Sequence, residues 1–550
     1  MAKKAPTKIK EERLEDILFD CRNHLRGRAP MTDKRDLLLT LVFMKFIGER
    51  FDKQKEVIRN RYKDRDEGYI QFAINRPDEY GRDGVFFLKD EYYWNSLVKL
   101  NASDMAVAFD NAIKALSDIA VGKGEQTTYP LKNALPLQIF TKTALEPSVL
   151  KSVVDDINKI SSEKFNEKDL IGRVYEYFLQ AFSINADKEE GEFYTPHSIV
   201  ELIASLIEPY DGTIYDPCCG SGGMFVQSAK FIEVHGGNKV NISVYGQEQE
   251  PSTYRLAKMN LAVRGISYHL GDHAGSTFTD EQHKDVKMDY IMANPPFNLK
   301  KWRTEEQLTD DPRWKGYGVP PVSNANYAWI LHMLHKLDEN HGVAGFLLAN
   351  GALDDQDTLA IRQKLIENDK VEAIIVLPRN MFYSTDISVT LWILNNNKKG
   401  GMWHKKMLRN RSKEILFVDL RTWSENIYEK KYVQFSEEQI AEICNIYFNW
   451  QLADNGSGIG SPEVCQKVMS ERGYYSKPEL YYAAKYDEIE EKGFSLVPSR
   501  YIEFVDRDTE IDYKEALASA GSKVKELLAS QDSNRKSLIK AFKTIGYDAE

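Results

Sequence analysis

The chain of 550 residues has apolar positions at two different spacings. Near its start they recur every three or four residues, which is the period of an amphipathic helix. This first apolar set consists of Leu14, Ile17, Leu18, Cys21 and Leu25. A denser apolar stretch runs from Leu37 to Ile47, and Gly27 between the two is a helix stop signal. The pattern predicts a helical N-terminal domain over residues 1–160.

From residue 165 to 450 the pattern changes to short apolar runs separated by helical stretches. The runs typical of buried strands are Val343–Leu348, Val371–Leu377 and Val389–Leu394, and a helical stretch covers Ala328–Leu337. Strands that alternate with helices favour an α/β domain with a doubly wound sheet.

Residues 452–462 are rich in glycine and serine and predict a flexible joint. A C-terminal region over 463–550 follows, and its apolar stripe is interrupted by Gly521. The stripe consists of Ala516, Leu517, Ala520, Val524, Leu527 and Leu528. Such a stripe on a charged helical tail either packs on its own domain or binds a partner helix.

Composition narrows the class of protein. A hydrophobic content of 42% permits sizeable cores, while a mean hydropathy of −0.48 and the lack of a long apolar run argue against a membrane span. No apolar segment follows the charged first residues, which argues against secretion. The five cysteines are Cys21, Cys218, Cys219, Cys444 and Cys465. They lack paired metal spacing, so we expect a cytoplasmic protein with reduced thiols and no metal site.

The formal net charge of −10 is unfavourable for a protein that binds DNA alone, because lysine and arginine supply most of the affinity for duplex phosphates. One segment is locally basic despite the negative net charge. It comprises Lys398, Lys399, Lys405, Lys406, Arg409, Arg411 and Lys413. The run either follows a phosphate backbone or, as we favour, forms a solvated hairpin.

Candidate chemistry begins with Asn294-Pro295-Pro296-Phe297, which follows the apolar run 288–293. A side-chain carbonyl from Asn294 and a backbone carbonyl fixed by the double proline could accept both hydrogens of a planar amine. Phe297 could stack on the ring that carries this amine. The alternative interpretation is a Pro-Pro loop with a buried phenylalanine.

A glycine-rich turn follows the short apolar strand 213–216 and leads into a helical pattern. This arrangement is typical of nucleotide-binding units. Gly220, Gly222 and Gly223 with Ser221 allow close approach of a ligand to the backbone, and Asp216 can pair with a cationic ligand group. A phosphate cradle is excluded because no Gly-Lys-Ser/Thr sequence follows. Tight packing alone is the alternative.

Two further acids follow predicted strands. Glu248 ends a second strand at the distance where dinucleotide folds place a ribose-binding carboxylate, and Asp272 ends a third strand, where it could accept from an adenine amine. Either acid alone could instead be a helix cap or a solvated loop residue. Four strand ends thus carry three carboxylates and one asparagine.

These motifs in this order resemble those of S-adenosylmethionine-dependent DNA adenine methyltransferases, and most closely the modification subunits of type I restriction-modification systems. The segment 191–197 resembles the part of those subunits that closes over the methionine end of the cofactor. The cofactor-binding residues that the resemblance implies there are Glu192, Phe193, Tyr194, Thr195 and Pro196. The implied fold is a Rossmann-like methyltransferase sheet with a helical N-terminal domain and a helical C-terminal tail.

The segment 377–387 is similar to a late strand and loop of the same family, although Asp386 stands where many members have glycine. By this resemblance an aromatic residue here helps to hold a flipped base, and we expect that residue to be Phe382, with Tyr383 as the second candidate. Either aromatic could instead belong to the core.

The resemblance implies direct methyl transfer to the N6 amine of a flipped adenine, with no covalent enzyme intermediate. It also implies double-stranded DNA and a specificity subunit as partners, with two modification subunits per specificity subunit, and a restriction motor-nuclease subunit as a further partner. The alternatives are an adenine methyltransferase without a separate specificity subunit, a methyltransferase acting on RNA or protein glutamine, and an inactive scaffold. Intact Asp216, Glu248, Asp272 and Asn294 argue against the scaffold.

Overall fold

The computed structural model describes residues 14–81, 85–120, 131–161, 195–234, 241–382, 386–404, 406–428, 432–452, 475–505 and 513–544. Its first part is helical, as predicted. These helices are α1 Leu14–His24, α2 Met31–Arg61, α3 Glu67–Ile74, α4 Pro77–Gly81, α5 Trp94–Leu97, α6 Ala102–Ser117, α7 Ile139–Lys142 and α8 Pro147–Asn158. They enclose one core that includes Leu37, Phe51, Phe109 and Val153. Gly27, with φ +75°, lies in the turn after α1, where the stop was predicted.

A ten-stranded sheet dominates the rest of the chain, in the order β13-β14-β10-β6-β7-β5-β4-β1-β2-β3. Its strands are β1 Gly212–Asp216, β2 Ile242–Gly246, β3 Tyr268–His269, β4 Tyr290–Ala293, β5 Val343–Ala349, β6 Val371–Val376, β7 Val389–Asn395, β10 Glu414–Asp419, β13 Ser476–Lys477 and β14 Tyr481–Lys485. The five neighbouring strands β3, β2, β1, β4 and β5 pair in parallel, in that order across the sheet. Strand β7 is antiparallel to both β5 and β6. Two small antiparallel pairs accompany the sheet: β8 Gly401–Trp403 with β9 Lys406–Leu408, and β11 Ile427–Tyr428 with β12 Tyr432–Val433.

Helices cover both faces of this sheet. They are α9 His197–Ile207, α10 Gly223–Val234, α11 Pro251–Val263, α12 Asn326–Lys336, α13 Leu359–Glu367, α14 Glu437–Gln451 and α15 Tyr486–Glu491. Alternate strand residues point to opposite faces: Ile214 belongs to the core with α9, α10 and α14, and Tyr215 to the core with α12 and α13. The predicted doubly wound architecture is therefore confirmed, and the strands predicted for β5, β6 and β7 differ from the observed ones by one residue at an end.

Helix α11 joins the two parts of the molecule, because it contributes to two cores. Leu256 and Met259 pack into the N-terminal helical core, while Ala257 and Leu261 pack under the sheet. The Arg255 guanidinium also forms an ion pair of 2.8 Å with Asp36 on α2.

The sheet continues beyond residue 450, where the predicted domain ended. Strand β14 pairs with β10, and the ring of Tyr501 stacks on Phe417 with centroids 4.2 Å apart. The joint predicted over 452–462 falls, from 453 onward, outside the described residues. A last helix, α16 Tyr513–Thr544, exposes Leu517, Val524, Leu527 and Leu528 by 54–78%. Among the described residues nothing covers these four side chains, which contradicts the alternative that the stripe packs on its own domain.

We predicted that the basic run 398–413 is solvated or follows phosphates. That prediction is wrong for three of its cations. Strands β8 and β9 do form a hairpin here, but Lys398, Lys406 and Arg411 are buried. Their partners are Asp369, Glu208 and Glu372, each 2.7–2.8 Å away. These cations therefore neutralise buried acids of their own chain. Within the described residues, no helix combines the length and the apolar character that crossing a bilayer requires.

Candidate active site

Parallel strands place the predicted site residues at one edge of the sheet. Asp216 ends β1, Glu248 follows β2, and Asn294 directly follows β4. Strand β1 lies between β2 and β4, so the chain order reverses there, and ligands of open α/β sheets bind in the crevice at such a point. A cavity of about 440 Å³ occupies this crevice, and all three side chains line it.

The glycine-rich turn forms one wall of the cavity through Gly220, Ser221 and Gly223. Gly220 and Gly222 have φ values of +53° and +80°, which side chains with a Cβ adopt only at a cost. A Cβ at Gly220 would meet no atom within 4 Å, so the backbone conformation, and not lack of space, requires glycine there. Gly223 begins α10, whose free backbone N–H groups face the turn.

Asp216 is a buried carboxylate with few partners. Its side chain is 2% exposed, and its Oδ1 accepts a hydrogen bond of 3.0 Å from the Cys218 backbone N–H. Burial raises the pKa of Asp216 to about 7, although the hydrogen bonds from Cys218 oppose the shift. A cationic ligand group in the cavity would stabilise the ionised carboxylate.

Glu248 is fixed across the cavity by two backbone groups. Its Oε2 accepts from Gly220 N–H at 3.0 Å, and its Oε1 accepts from Glu250 N–H at 2.8 Å. An ionised carboxylate only accepts hydrogen bonds, which matches donors such as the hydroxyls of a ribose. The same bonds attach Glu248 to the glycine-rich turn and to the start of α11.

Asn294 has one satisfied and one unsatisfied side-chain atom. Its Nδ2 donates a hydrogen bond of 2.9 Å to Thr195 Oγ1, whereas its Oδ1 is buried without a partner among the described residues. A buried carbonyl without a donor is costly, which is why such atoms cluster at binding sites. The Asn294 carboxamide therefore presents a free acceptor in a cavity wall.

The other predicted site residues differ in position. Thr195 and Pro296 line the cavity, Pro196 precedes α9, and Pro295, next to Asn294, is buried. Glu192, Phe193, Tyr194 and Tyr383 lie outside the described residues. Gly222 is in the turn but is not among the lining residues.

Three further predicted residues are absent from the cavity walls: Asp272, Phe297 and Phe382. Asp272 is exposed, and its backbone N–H donates to Gln282 Oε1 at 2.7 Å. The ring of Phe382 is 1% exposed and meets Phe297 edge to face, with centroids 6.1 Å apart. In this conformation Phe382 supports Phe297 from the core, and the assignment of these three residues to ligands stays a prediction.

Among the wall residues that sequence reasoning missed are two whole segments. One is the hydroxyl-rich stretch 276–279, and the other is 299–302, with Lys300, Lys301 and Trp302. Trp329 on α12 completes that side. The only signals in the sequence were their closeness to Gly271-Asp272 and to Asn-Pro-Pro-Phe, because neither loop has an apolar period.

The family model described as N-6 DNA Methylase matches residues 166–510, and the HsdM N-terminal domain matches residues 14–157. The first match covers more than half of the chain. This chain belongs to the N-6 DNA methylase family. Its established activity class is methylation of adenine N6 in DNA, with S-adenosylmethionine as methyl donor.

Relatives agree with the family match. The type I restriction enzyme HindI methylase subunit of Haemophilus influenzae is 39% identical over 69% of this chain and 79% of its own length. The MjaIX methylase subunit of Methanocaldococcus jannaschii is 30% identical over 97% of this chain and 91% of its own length. A solved type I methyltransferase subunit from Streptococcus thermophilus shares the fold with a TM-score of 0.66, at 20% identity over 89% of this chain and 99% of that one.

The residues present fit S-adenosylmethionine. The cofactor is a cation with a ribose and an adenine, and the cavity offers a buried carboxylate at Asp216, a second carboxylate at Glu248, and open backbone at Gly220. When bound, it supplies an electrophilic methyl group on a sulfonium.

Proposed function

We propose that Asn294 clamps the exocyclic amine of an adenine turned out of double-stranded DNA, beside a cofactor held by the glycine-rich turn, Asp216 and Glu248. The unpartnered Oδ1 of Asn294 carries this proposal. Because Nδ2 is already bonded to Thr195, the carboxamide presents its oxygen, and not its NH₂ group, as the free polar atom. An amine hydrogen of adenine is a donor that fits it.

The clamp makes the amine a better nucleophile. The lone pair of an aromatic amine is delocalised into the ring, and acceptors that draw its two hydrogens out of plane localise that pair on nitrogen. Asn294 Oδ1 supplies one acceptor, and the backbone carbonyl held by the double proline supplies the other. The remaining contribution is orientation, because an in-line transfer depends on holding the reacting atoms at contact distance. The amine proton leaves after transfer, through Asn294 or water.

The test is Asn294→Ala in the full chain with its partners. We expect methylation of DNA to fall by at least about a hundredfold, since one preorganised polar contact at a transition state is typically worth that much. Cofactor affinity, measured by calorimetry, should stay nearly unchanged. The control Asn340→Ala removes an exposed asparagine ahead of β5 and should leave the rate unchanged. A wild-type rate in Asn294→Ala would refute the clamp.

We infer that this activity is that of a modification subunit in a type I complex, in the cytoplasm. In this assembly two such subunits bind one specificity subunit, and a motor-nuclease subunit joins them. Two features support a partner: the net charge of −10, which is unfavourable for autonomous binding to DNA, and the exposed apolar stripe of α16. The same two features disfavour an enzyme that acts without a separate specificity subunit.

Transfer of labelled methyl groups onto DNA, RNA and protein, with and without the purified specificity subunit, separates these functions. We expect label on DNA only, and only with the partner present. Label on RNA or on protein glutamine would favour the alternative substrate class. Label on DNA from the chain alone would contradict the partner requirement.

A further inference from the structure

The cavity has opposite charges on its two sides. Asp216 and Glu248 line it beside the glycine-rich turn, whereas Lys300 and Lys301 line it from the loop that follows Phe297. Both lysines are exposed, and neither ammonium group has an ion-pair partner in the part of the chain that the structure describes.

The loop that carries these lysines is held rigidly. Asn298 has a φ of +55°, and its backbone N–H donates to Asn326 Oδ1 at 3.0 Å, while Asn326 Nδ2 donates back to Asn298 Oδ1 at 2.9 Å. Lys301 has a φ of +53°, and its N–H donates to the Val322 carbonyl at 3.1 Å. Residues other than glycine in this left-handed region persist only where their surroundings enforce it, and they concentrate at functional sites.

Neighbouring side chains stabilise the same loop. Trp302 Nε1 donates to the Pro321 carbonyl at 2.9 Å, and the buried Arg303 donates to the carbonyls of Thr304 and Pro320 at 2.8 and 3.0 Å. The cations on the two sides of Trp302 therefore differ in role. Arg303 holds the loop, whereas Lys300 and Lys301 keep their charges available at the cavity mouth.

The ligand that fits is a phosphodiester. An adenine that is flipped into the cavity stays attached to its sugar and backbone, so its flanking phosphates must lie at the mouth when its amine reaches Asn294. A chain with a net charge of −10 needs local cations where it meets phosphates, and Lys398, Lys406 and Arg411 of the run 398–413 already pair with acids of the same chain. The Lys300 and Lys301 side chains lie three to four positions beyond Phe297.

We propose that Lys300 and Lys301 bind the DNA phosphates that flank the flipped adenine. This inference rests on the proposed function, because it needs a flipped base in the cavity. It adds the contact that holds the extruded nucleotide, separate from the contacts to the base itself.

The experiment compares the wild-type complex with Lys300→Gln/Lys301→Gln, bound to a duplex that the wild-type complex methylates. Log affinity is measured against log salt concentration. Each lost phosphate contact lowers the magnitude of the slope by about 0.9, so we expect the double variant to lower it by about 1.8. Calorimetry should give the same cofactor dissociation constant for both proteins, and thermal melting should show the same stability.

A matched control is Lys364→Gln/Lys399→Gln, which removes two exposed charges. Both lie toward the opposite edge of the sheet, near the end of α13 and in the turn after β7. This control should keep the wild-type slope. Asn294→Ala should also keep the slope while it loses methylation, which separates the two proposals.

Two outcomes would overturn the phosphate assignment. An unchanged salt slope in Lys300→Gln/Lys301→Gln would show that these lysines do not meet the backbone. A weaker cofactor affinity with an unchanged slope would show that they bind the carboxylate of the cofactor instead. Failure of the wild-type complex to methylate any duplex would count against the proposed function, and not against this contact alone.

Discussion

Asp216 is a cavity residue whose charge changes with pH near neutrality. Burial is the main cause of its raised pKa of about 7, and the nearby charge of Glu248 contributes in the same direction. The neighbouring thiols of Cys218 and Cys219 have pKa values well above their usual range, so they stay protonated near neutral pH. The carboxylate of Asp216 is therefore the group that changes charge when a cation enters.

Cofactor binding should accordingly strengthen as pH rises towards 7. A cation binds the ionised form of Asp216 and lowers its pKa in the complex, so binding releases a proton at pH values below about 7. The association constant should rise by up to about tenfold per pH unit from pH 5 to 7 and level off above it. Calorimetry across this range in two buffers measures both effects. Asp216→Asn should bind weakly with a flat profile, and a flat wild-type profile would count against the role of Asp216.

The sequence predicts the site residues that lie at strand ends but not those that lie on a loop. Asp216, Glu248 and Asn294 each follow a parallel strand, and the ends of parallel strands meet at one edge, so their convergence could be expected. Lys300 and Lys301 reach the cavity through a loop shaped by Asn298 and by residues 320–326. Hydrogen bonds between two loops leave no periodic pattern in the sequence.

At the scale of elements, a buried ion pair connects β6 to the segment before β10. Glu372 and Arg411 are fully buried, and Glu372 Oε1 accepts from Arg411 Nε at 2.8 Å and from Gln451 Nε2 at 2.9 Å. The register of β6 against β7 shifts between Val371 and Ala373, which places Glu372 at a bulge. The bulge allows a charged residue inside an otherwise apolar strand.

Arg411→Met should destabilise the fold by about 3–5 kcal/mol, because it leaves the Glu372 carboxylate buried without its cation. Urea unfolding measures this loss. Glu372→Leu/Arg411→Met should recover much of it, since removing both charges removes the unpaired one. The exposed pair of Arg76 and Asp78 provides the control, and Arg76→Met should cost at most about 1 kcal/mol. A loss no larger in Arg411→Met than in this control would contradict the argument.

The same pair shows what sequence patterns cannot reveal. Helical and strand periods located β5, β6, β7 and α12 to within one or two residues. The ion-pair partners of the basic run could not be located in this way, because they are distant in sequence. Lys406 bonds to Glu208 across 198 positions and Arg411 to Glu372 across 39. Charge alone indicated an exposed surface, and only the folded topology brings these acids to it.

At the scale of the whole molecule, α16 is a helix that lacks a partner for its apolar stripe within the described residues. Val524 and Leu528 lie four positions apart on one face, and each is more than half exposed. A side of this kind binds another helix in the manner of a coiled coil. We therefore propose this face of α16 as the contact with the specificity subunit.

Val524→Asp/Leu528→Asp should abolish co-purification with the specificity subunit. The melting temperature of the isolated chain should hardly change, because these side chains are already exposed. Ser522→Asp/Ser533→Asp adds the same charges to other faces of α16 and should retain the complex. A complex that survives the first variant would show that the partner binds elsewhere.

Helix α11 connects the N-terminal helices to Glu248 in the cavity wall. Glu248 is bonded to Glu250, the residue before α11, and α11 itself is fastened to α2 by Arg255 and Asp36. A displacement of the N-terminal helices would therefore act through α11 on Glu248, the carboxylate that we propose for the ribose. Under the proposed function, contact of these helices with DNA and binding of the methyl donor would then be coupled through one helix.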